Sequence, residues 1–508
     1  MINILNKIRL NQYIQLLACI GFLMFIYSWR WIYTSHLPST WDQVDFVLAV
    51  DQFDLLAMQP HFPGYPYYIL GGIIVHRWIS DPAAALSAFS FIVMISSVVP
   101  LFGLARRYTT YAKSLLIVAA VHATAYLWIL SAEPMAETSA LALLCWYWWS
   151  LARAGDSASF ARQIMPLFIF GLIMGVRLSY LAFGIGIILL WGYDYLRARK
   201  AGYRLRKRIF RLVGWITWAV LFQLVWLVGL IMSAGNISGF IQMAMAFTGG
   251  HFNEWGGTAS ISVIDLIQRL FILLVHNLMW TGLAVQYSSL VMLLLVILCF
   301  ILFRSHKLDW AHSDMFTRWF MVMGISYLIF AWLAQNIDKP RHIAPLIIMV
   351  IGLLCIILTR NAYEKLWERY TGLSLVLLLL MTQALIGTII VKQQSEQIPA
   401  VYQLADRLEQ LQIESDQPIM VYTWEETRVL EFLQAEYDHK RIYTYTFFLE
   451  EARALKPRRI FITGQALDGF ILQGARVDSQ LRLIDTFHSD SRFDPVYAEI
   501  RLYEWFYQ

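Results

Sequence analysis

The chain has 508 residues, of which 58% are hydrophobic and only 15% are charged, and its formal net charge at pH 7 is +5. Soluble domains carry about 25% charged residues, so the composition excludes an ordinary soluble protein and indicates a membrane protein with several spans. The basic residues are clustered, which bears on orientation in the membrane and gives no reason to expect a nucleic-acid partner.

The first predicted element is a long apolar run preceded by Lys7 and Arg9. The run is too long for a signal peptide and no small-residue cleavage site follows it, so we predict a retained membrane helix. Further apolar runs near 20 residues, the length that crosses a bilayer core, follow along the chain. We predict eleven spans, at 13–34, 82–105, 114–131, 135–152, 163–176, 179–196, 212–234, 288–303, 315–335, 342–359 and 371–391.

The positions of the basic loops predict a cytoplasmic N-terminus and an inner-membrane location, because Lys and Arg are enriched in cytoplasmic loops. The loops 35–81 and 235–262 are then external. An odd number of crossings must join the second loop to the basic pair Arg304 and Lys307. We therefore expect the apolar segment 264–281 to lie in the interface or to re-enter without crossing.

The composition changes near residue 392, where short β-rich runs begin to alternate with helical patterns at 424–436 and 447–455. This alternation is typical of a small α/β domain. The overall prediction is an all-α polytopic membrane domain over 1–391 and a small α/β extracytoplasmic domain over 392–508. The latter is expected either to contact the acceptor or to pack over the site as a spacer.

The four cysteines lie inside apolar runs and show no metal-ligand spacing. No cofactor is expected, and a divalent metal is left open.

The first external loop opens with "WDQVDFVLAVDQFD", residues 41–54. Its apolar residues recur at helical intervals, which predicts a helix at the membrane surface with its aspartates facing outward. Asp42 and Asp45 are three residues apart and share a face. They are either the solvated side of that helix or part of a site.

Other polar residues fall at external span ends, where they are costly and often functional. Simpler explanations are available for each: helix N-terminal charge bias for acids, snorkelling or lipid headgroup contact for cations, and a structural role for histidines. The candidate binding residues are His61, Glu133, Glu137, Arg177, His251, Lys339, Arg341 and His342.

Carboxylates and phosphate-binding cations at one membrane surface suit sugar transfer from a lipid-phosphate donor. A carboxylate can take the proton of an attacking hydroxyl. Arg and Lys can hold the departing phosphate.

The chain resembles the GT-C class of integral-membrane glycosyltransferases, and within it the bacterial protein O-mannosyltransferase-like group. The resemblance is carried by "WDQVDF", "HFPGYPYYILGG", "SAEPMAETSALALL", "GLIMGVRLS" and "KPRHIAPLI", which occur in the family's order over roughly residues 10–360. Asp45 stands where the group often has Glu, and Phe62 replaces a Pro.

The resemblance implies a polyprenyl-phosphate-linked sugar donor, an inverting displacement at the outer face, and a catalytic acid at Asp42 or Asp45. Either Glu133 or Glu137 could take a second acidic role. The acceptor could be a protein, a lipid or a glycan. The alternatives are a transporter or flippase of lipid-linked sugars, and a polysaccharide polymerase or ligase.

Overall fold

The computed structural model describes residues 2–253, 263–304, 314–360, 365–415, 417–454, 458–475 and 480–506; for residues 2–9, 251–253 and 263 it describes the backbone alone. Apolar helices occupy residues 2–396, and a small α/β domain occupies residues 400–506. One long helix, Leu366–Glu396, leads from the first part directly to the second.

The membrane domain is almost entirely helical. Its α-helices are α1 Ile2–Ile32, α2 Trp41–Asp51, α3 Pro66–His76, α4 Pro82–Ser96, α5 Val98–Ala105, α6 Tyr111–Ala123, α7 Ala125–Ser131, α8 Glu137–Asp156, α9 Phe160–Val176, α10 Ile185–Lys200, α11 Leu205–Ser233, α12 Ile237–Asn253, α13 Val263–Phe271, α14 Ser288–Phe303, α15 Met315–Ala334, α16 Ala344–Thr359 and α17 Leu366–Glu396. Short 3-10 helices at Leu178–Gly184 and Pro340–Ile343 precede α10 and α16, and a π-helix, Ile272–Leu283, continues α13.

Among the described residues, eight helices are long and apolar enough to cross a membrane, or nine if α6 and α7, bent by 55°, form one span. Eight of the eleven predicted spans coincide with this set. The other three, 135–152, 163–176 and 288–303, are the helices α8, α9 and α14. The last two have only 17 and 16 residues, and α8 carries charged residues near both ends.

The ninth member of the set is the helix of residues 264–283, which the sequence analysis expected not to cross. That expectation relied on the required odd number of crossings, and the segment also contains polar residues, including two whose partners in the structure are backbone carbonyls. The Arg269 side chain is buried and donates to the carbonyl oxygens of Trp332 and Gln335, and Asn277 donates to that of Ile337 at 2.7 Å. Arg269 and Asn277 therefore face protein rather than lipid, whereas Asp265 and His276 are exposed. The two buried groups do not disqualify the segment as a span.

Several described charged residues of the loops predicted to be cytoplasmic form ion pairs between helix ends, and we call this end of the bundle the basic end. Arg107 lies 2.5 Å from Asp156 and 3.3 Å from Asp314. Arg304 lies 2.9 Å from Glu368. These contacts join the ends of five helices, α5, α8, α14, α15 and α17, at that end.

The C-terminal domain is a mixed five-stranded sheet with helices on both faces. Its strand order is β2-β1-β3-β5-β4, with β1 parallel to β2 and β3, and β5 antiparallel to β3 and β4. The elements are α18 Ala400–Glu414, β1 Ile419–Thr423, α19 Thr427–Phe432, β2 Asp438–Arg441, α20 Tyr445–Ala454, β3 Arg459–Thr463, α21 Gly464–Leu472, β4 Leu481–His488 and β5 Glu499–Trp505. One of the β-rich runs noted after residue 392, "RIYTYTF" at 441–447, predicts a strand that the structure displaces, because β2 ends at Arg441 and a helix begins at Tyr445.

Helix α2 lies between the two domains. Phe46, Val47 and Val50 pack in the core of the membrane helices. Val44 is fully buried in the core under one face of the C-terminal sheet, with Leu48 packed against that core. The helix expected at a membrane surface is therefore covered on both sides.

Replacing Val44 by aspartate should separate the domains, because a buried carboxylate without a partner costs several kcal/mol. We expect a lower unfolding temperature and faster proteolysis between α17 and α18. The matched control is Leu56→Asp, in the same loop and 70% exposed, which should behave like the wild type. Equal protease resistance in both variants would show that α2 does not hold the domains together.

Candidate active site

The start of α2 decides where its carboxylates point. The side chain of Thr40 accepts a hydrogen bond from the backbone N–H of Gln43 at 3.4 Å, a typical threonine N-cap. The Asp42 side chain is 22% exposed, whereas that of Asp45 is fully buried. The expectation that the aspartates face outward is wrong for Asp45, because the C-terminal domain covers that side of the helix. It is right for Asp51, whose side chain is 65% exposed.

A tight turn brings His61 back to α2. The Gly64 N–H donates to the carbonyl of His61 at 2.9 Å, and Gly64 has φ +90°, a conformation that favours glycine. A Cβ at Gly64 would also collide with the side chains of Leu55 and Leu230. The sequence "HFPGYP" thus places the imidazole against Asp45.

Asp42 is surrounded by cations. Its carboxylate accepts a hydrogen bond from Arg341 and lies 3.8 Å from the Lys339 ammonium and 3.9 Å from Nε2 of His61. Burial alone would raise the pKa of this carboxyl. Lys339, Arg341, His61 and Arg177 outweigh burial and hold the pKa of Asp42 far below its usual range, so Asp42 is ionised in this state.

Asp45 lies behind Asp42 and joins the two domains. One oxygen is 3.0 Å from Nδ1 of His61, and the other accepts from Nε of Arg428 at 2.7 Å. Arg428 belongs to α19 of the C-terminal domain. Burial raises the pKa of Asp45, although His61 and Arg428 oppose the rise. Asp45 thus contacts His61 through Nδ1, while Nε2 of the same ring lies 3.9 Å from Asp42.

Glu137 is fully buried at the start of α8 and lies between two guanidiniums. Its Oε1 is 2.9 Å from Arg177 and 3.0 Å from Nε of Arg341. Arg177 also donates to Nδ1 of His342 at 3.2 Å. Such burial excludes snorkelling for Arg177 and simple helix-terminal charge bias for Glu137.

Glu133 occupies a more polar setting beside this cluster. It accepts from the side-chain amides of Gln43 at 3.0 Å and Gln394 at 2.7 Å. Burial raises the pKa of Glu133 to about 8. Burial likewise raises the pKa of Asp494, in the C-terminal domain, to about 6.

A narrow cavity lies between the two domains at this point. The membrane domain contributes Asp42, Glu133, Lys339 and Arg341 to its wall, and the C-terminal domain contributes the segment 491–497. The cavity volume is about 40 Å³, which suits a few waters but not a sugar phosphate. A ligand of that size requires the segment 491–497 or the Asp42–Arg341 contact to move.

The predicted convergence of first-loop acids with the Lys-Pro-Arg-His cations is present in the structure. Continuous contacts link eight of the ten candidates: Asp42, Asp45, His61, Glu137, Arg177, Lys339, Arg341 and His342. Glu133 lines the adjoining cavity. The backbone of His251 lies in α12, and its side chain lies outside the described residues.

Sequence reasoning missed the groups that the C-terminal domain brings to the site. Arg428 is 383 positions from the aspartate that it pairs with, and nothing in its local sequence marks it. Asp494 of the C-terminal domain and Gln394 on α17 were likewise not singled out. A prediction that the Asp45 side of α2 is buried would have been the one usable signal, since a buried carboxylate needs a partner.

Solved structures with a similar fold include ArnT from Cupriavidus metallidurans. Its apo structure matches with a TM-score of 0.52 and its undecaprenyl phosphate complex with 0.51, each at 10% identity over 96% of this chain and 97% of that chain. The arabinofuranosyltransferase AftD from Mycobacteria matches with a TM-score of 0.45 at 12% identity, over 98% of this chain and 40% of that chain. No protein-family model and no curated protein sequence matches. The likeness to ArnT establishes a shared GT-C-like polytopic fold along nearly the whole chain.

Replacing Glu133 by glutamine should flatten the dependence of stability on pH. The folded pKa of Glu133 is about 8, against an ordinary value of 4.5. Above pH 4.5 the unfolded chain releases this proton while the folded chain keeps it, so stability falls as pH rises towards 8. The unfolding temperature of the wild type should therefore drop more steeply between pH 5 and pH 8 than that of Glu133→Gln.

Asp494, whose pKa is also raised, makes the unfolding temperature fall with rising pH in both the wild type and Glu133→Gln. The control is Glu450→Gln, an exposed position on α20, which should keep the wild-type slope. Parallel curves for the wild type and Glu133→Gln would contradict the raised pKa.

Proposed function

We propose that the chain is a membrane glycosyltransferase that moves a sugar from a polyprenyl-phosphate donor to an acceptor hydroxyl. The observation that carries the proposal is the meeting of Asp42 with Arg341 and Lys339 in a cavity at one end of an apolar helix bundle. A lipid carrier suits this place, because its chain can stay in the bilayer while its phosphate reaches the cations. The shared fold supports the same reading, since ArnT has been solved with undecaprenyl phosphate.

In the proposed reaction the acceptor oxygen attacks the anomeric carbon and the bond from that carbon to the phosphate oxygen breaks. The acceptor proton passes to the carboxylate of Asp42. The electron pair of the broken bond leaves with the polyprenyl phosphate, whose charge Arg341 and Lys339 offset. A displacement in one step inverts the anomeric centre.

Donor binding also prepares the base. Without donor, Arg341 and Lys339 hold the pKa of Asp42 far below its usual range, which makes it a poor proton acceptor. A phosphate that takes over these two cations would withdraw them from Asp42, so its pKa would rise towards the ordinary value. The base then becomes competent when the donor is in place.

The geometry favours Asp42 over Asp45 as the base. Asp42 lines the cavity, whereas Asp45 is fully buried and already holds His61 and Arg428. Glu137 holds Arg341 and Arg177 in place from the opposite side. We assign Asp45 and Glu137 to positioning, and Glu133 to the wall where the acceptor approaches.

The resemblance to protein O-mannosyltransferase-like enzymes favours a hexose of the mannosyl type. We further propose that the site end of the bundle faces the cell exterior, with the N-terminus in the cytoplasm, as the basic residues at the opposite end suggest. Protein, lipid and glycan hydroxyls all suit this reaction.

A flippase would move a lipid-linked sugar without forming a glycosidic bond. A polymerase or ligase would use the same donor chemistry with a growing glycan as acceptor. A labelled donor separates these cases, since label in a new product requires transfer and label exposed on the other leaflet requires only transport.

Asp42→Asn should reduce transfer about 10²- to 10⁴-fold, the usual contribution of a general base. Donor affinity should be kept or increased, because Arg341 and Lys339 lose their competing carboxylate. Single-turnover transfer from labelled donor measures the first effect, and donor binding to purified protein measures the second.

The control is Asp51→Asn on the same helix, exposed and outside the cluster. Transfer at the wild-type rate by Asp42→Asn would refute Asp42 as the base. Loss of donor binding together with transfer would instead make it a binding residue.

Lys339→Gln should raise the KM for donor about tenfold or more, since hydrogen bonds to charged groups contribute about 1.5–3 kcal/mol. The fold should persist, because this side chain is 25% exposed and its only ion pair among the described residues is the 3.8 Å contact with Asp42. Lys392→Gln, at a 48% exposed position on α17, is the matched charge-loss control. A KM equal in both variants would remove Lys339 from the phosphate site.

A further inference from the structure

A second cavity lies near the basic end of the bundle, away from the candidate active site. Its volume is about 570 Å³, and apolar side chains form most of its wall, including Leu101, Leu104, Phe320, Ile348 and Ile356. Protein interiors rarely keep voids much larger than a water molecule, and binding sites for small molecules measure about 300–1,000 Å³. The wall and the volume therefore suit an apolar ligand.

Charged and polar groups surround the mouth of this cavity. Arg107, Tyr108, Asp314 and Arg360 line it. Arg107 is paired with Asp314 and Asp156, and the Tyr108 hydroxyl donates to Asp314 at 3.1 Å. Within the described part of the chain, the guanidinium of Arg360 makes no ion pair.

Helix α16 separates this mouth from the active site. Arg341 precedes the helix and Arg360 follows it. The sixteen residues of α16 span about 24 Å at 1.5 Å per residue, most of the thickness of a bilayer core. A lipid with its headgroup at Arg360 thus belongs to the leaflet opposite the active site.

We propose that this cavity binds one acyl chain of an anionic phospholipid, with the lipid phosphate at Arg360. The apolar wall accepts the chain. Arg360 at the mouth, which has no ion pair with any residue that the structure describes, selects a negative headgroup, as basic pockets between membrane helices do. The occupant is a bilayer phospholipid and not the glycosyl donor, whose phosphate we place about 24 Å away at the other end of α16.

Gly352 allows a direct test because it lines the cavity and a Cβ built there meets no other residue within 4 Å. Gly352→Phe should fill the cavity without displacing its neighbours. Gly192→Phe is the matched control, since Gly192 is exposed on α10 and its Cβ also meets nothing within 4 Å. Gly352→Leu is the smaller replacement if the phenylalanine variant does not fold.

The measurement is native mass spectrometry of the purified chain with added phosphatidylglycerol, phosphatidylcholine or polyprenyl phosphate. We expect the wild type and Gly192→Phe to keep about one phosphatidylglycerol, and Gly352→Phe or Gly352→Leu to lose it. Arg360→Gln should keep chain binding but lose about fivefold of the preference for phosphatidylglycerol over phosphatidylcholine. The proposal is overturned if Gly352→Phe and Gly352→Leu retain phosphatidylglycerol as the wild type does. It is also overturned if these variants lose binding of polyprenyl phosphate alone.

Discussion

The guanidinium of Arg341 lies between two carboxylates, Asp42 and Glu137, that come from distant parts of the chain. Removing charged groups from water is expensive, and the cost is offset only when partners are close and well oriented. Arg341, Arg177 and Lys339 face Asp42 and Glu137 within one compact cluster. This requirement constrains how α2, α8 and the segment before α16 approach one another. In the proposed reaction, an incoming phosphate would compete with these carboxylates for the cations.

The C-terminal domain is part of the same arrangement. Arg428 supplies the second partner of Asp45, and Val44 fills the core below the C-terminal sheet. The segment 491–497 completes the wall of the cavity. The domain therefore supplies a cation to Asp45 and one side of the cavity.

The two ends of the bundle differ in how their charges are used. At the basic end, pairs such as Arg107–Asp156 and Arg304–Glu368 tie helix ends together. At the site end the charges surround a cavity and include carboxylates with strongly perturbed pKa values, a combination typical of functional sites. Helix α16 connects the ends, with Arg341 before its first turn and Arg360 after its last. One helix thus connects the candidate active site to an apolar cavity near the opposite end of the bundle.

The sequence by itself determined most of the spans and the change to an α/β domain. Hydrophobic runs and alternating patterns are local properties, and the spacing of "WDQVDF" alone placed Asp42 and Asp45 on one face of a helix. The sequence also identified the acids and cations that meet, since charged residues within apolar segments and at their edges are costly and often functional.

Only the tertiary structure decided which carboxylate reaches the cavity, that Asp45 is covered, and that Arg428 and Asp494 belong to the site. Local sequence likewise did not indicate that Arg269 and Asn277 are buried against protein, because their partners lie more than 50 positions away. Burial and pairing depend on distances between residues far apart in the chain, and local spacing carries no information about those distances.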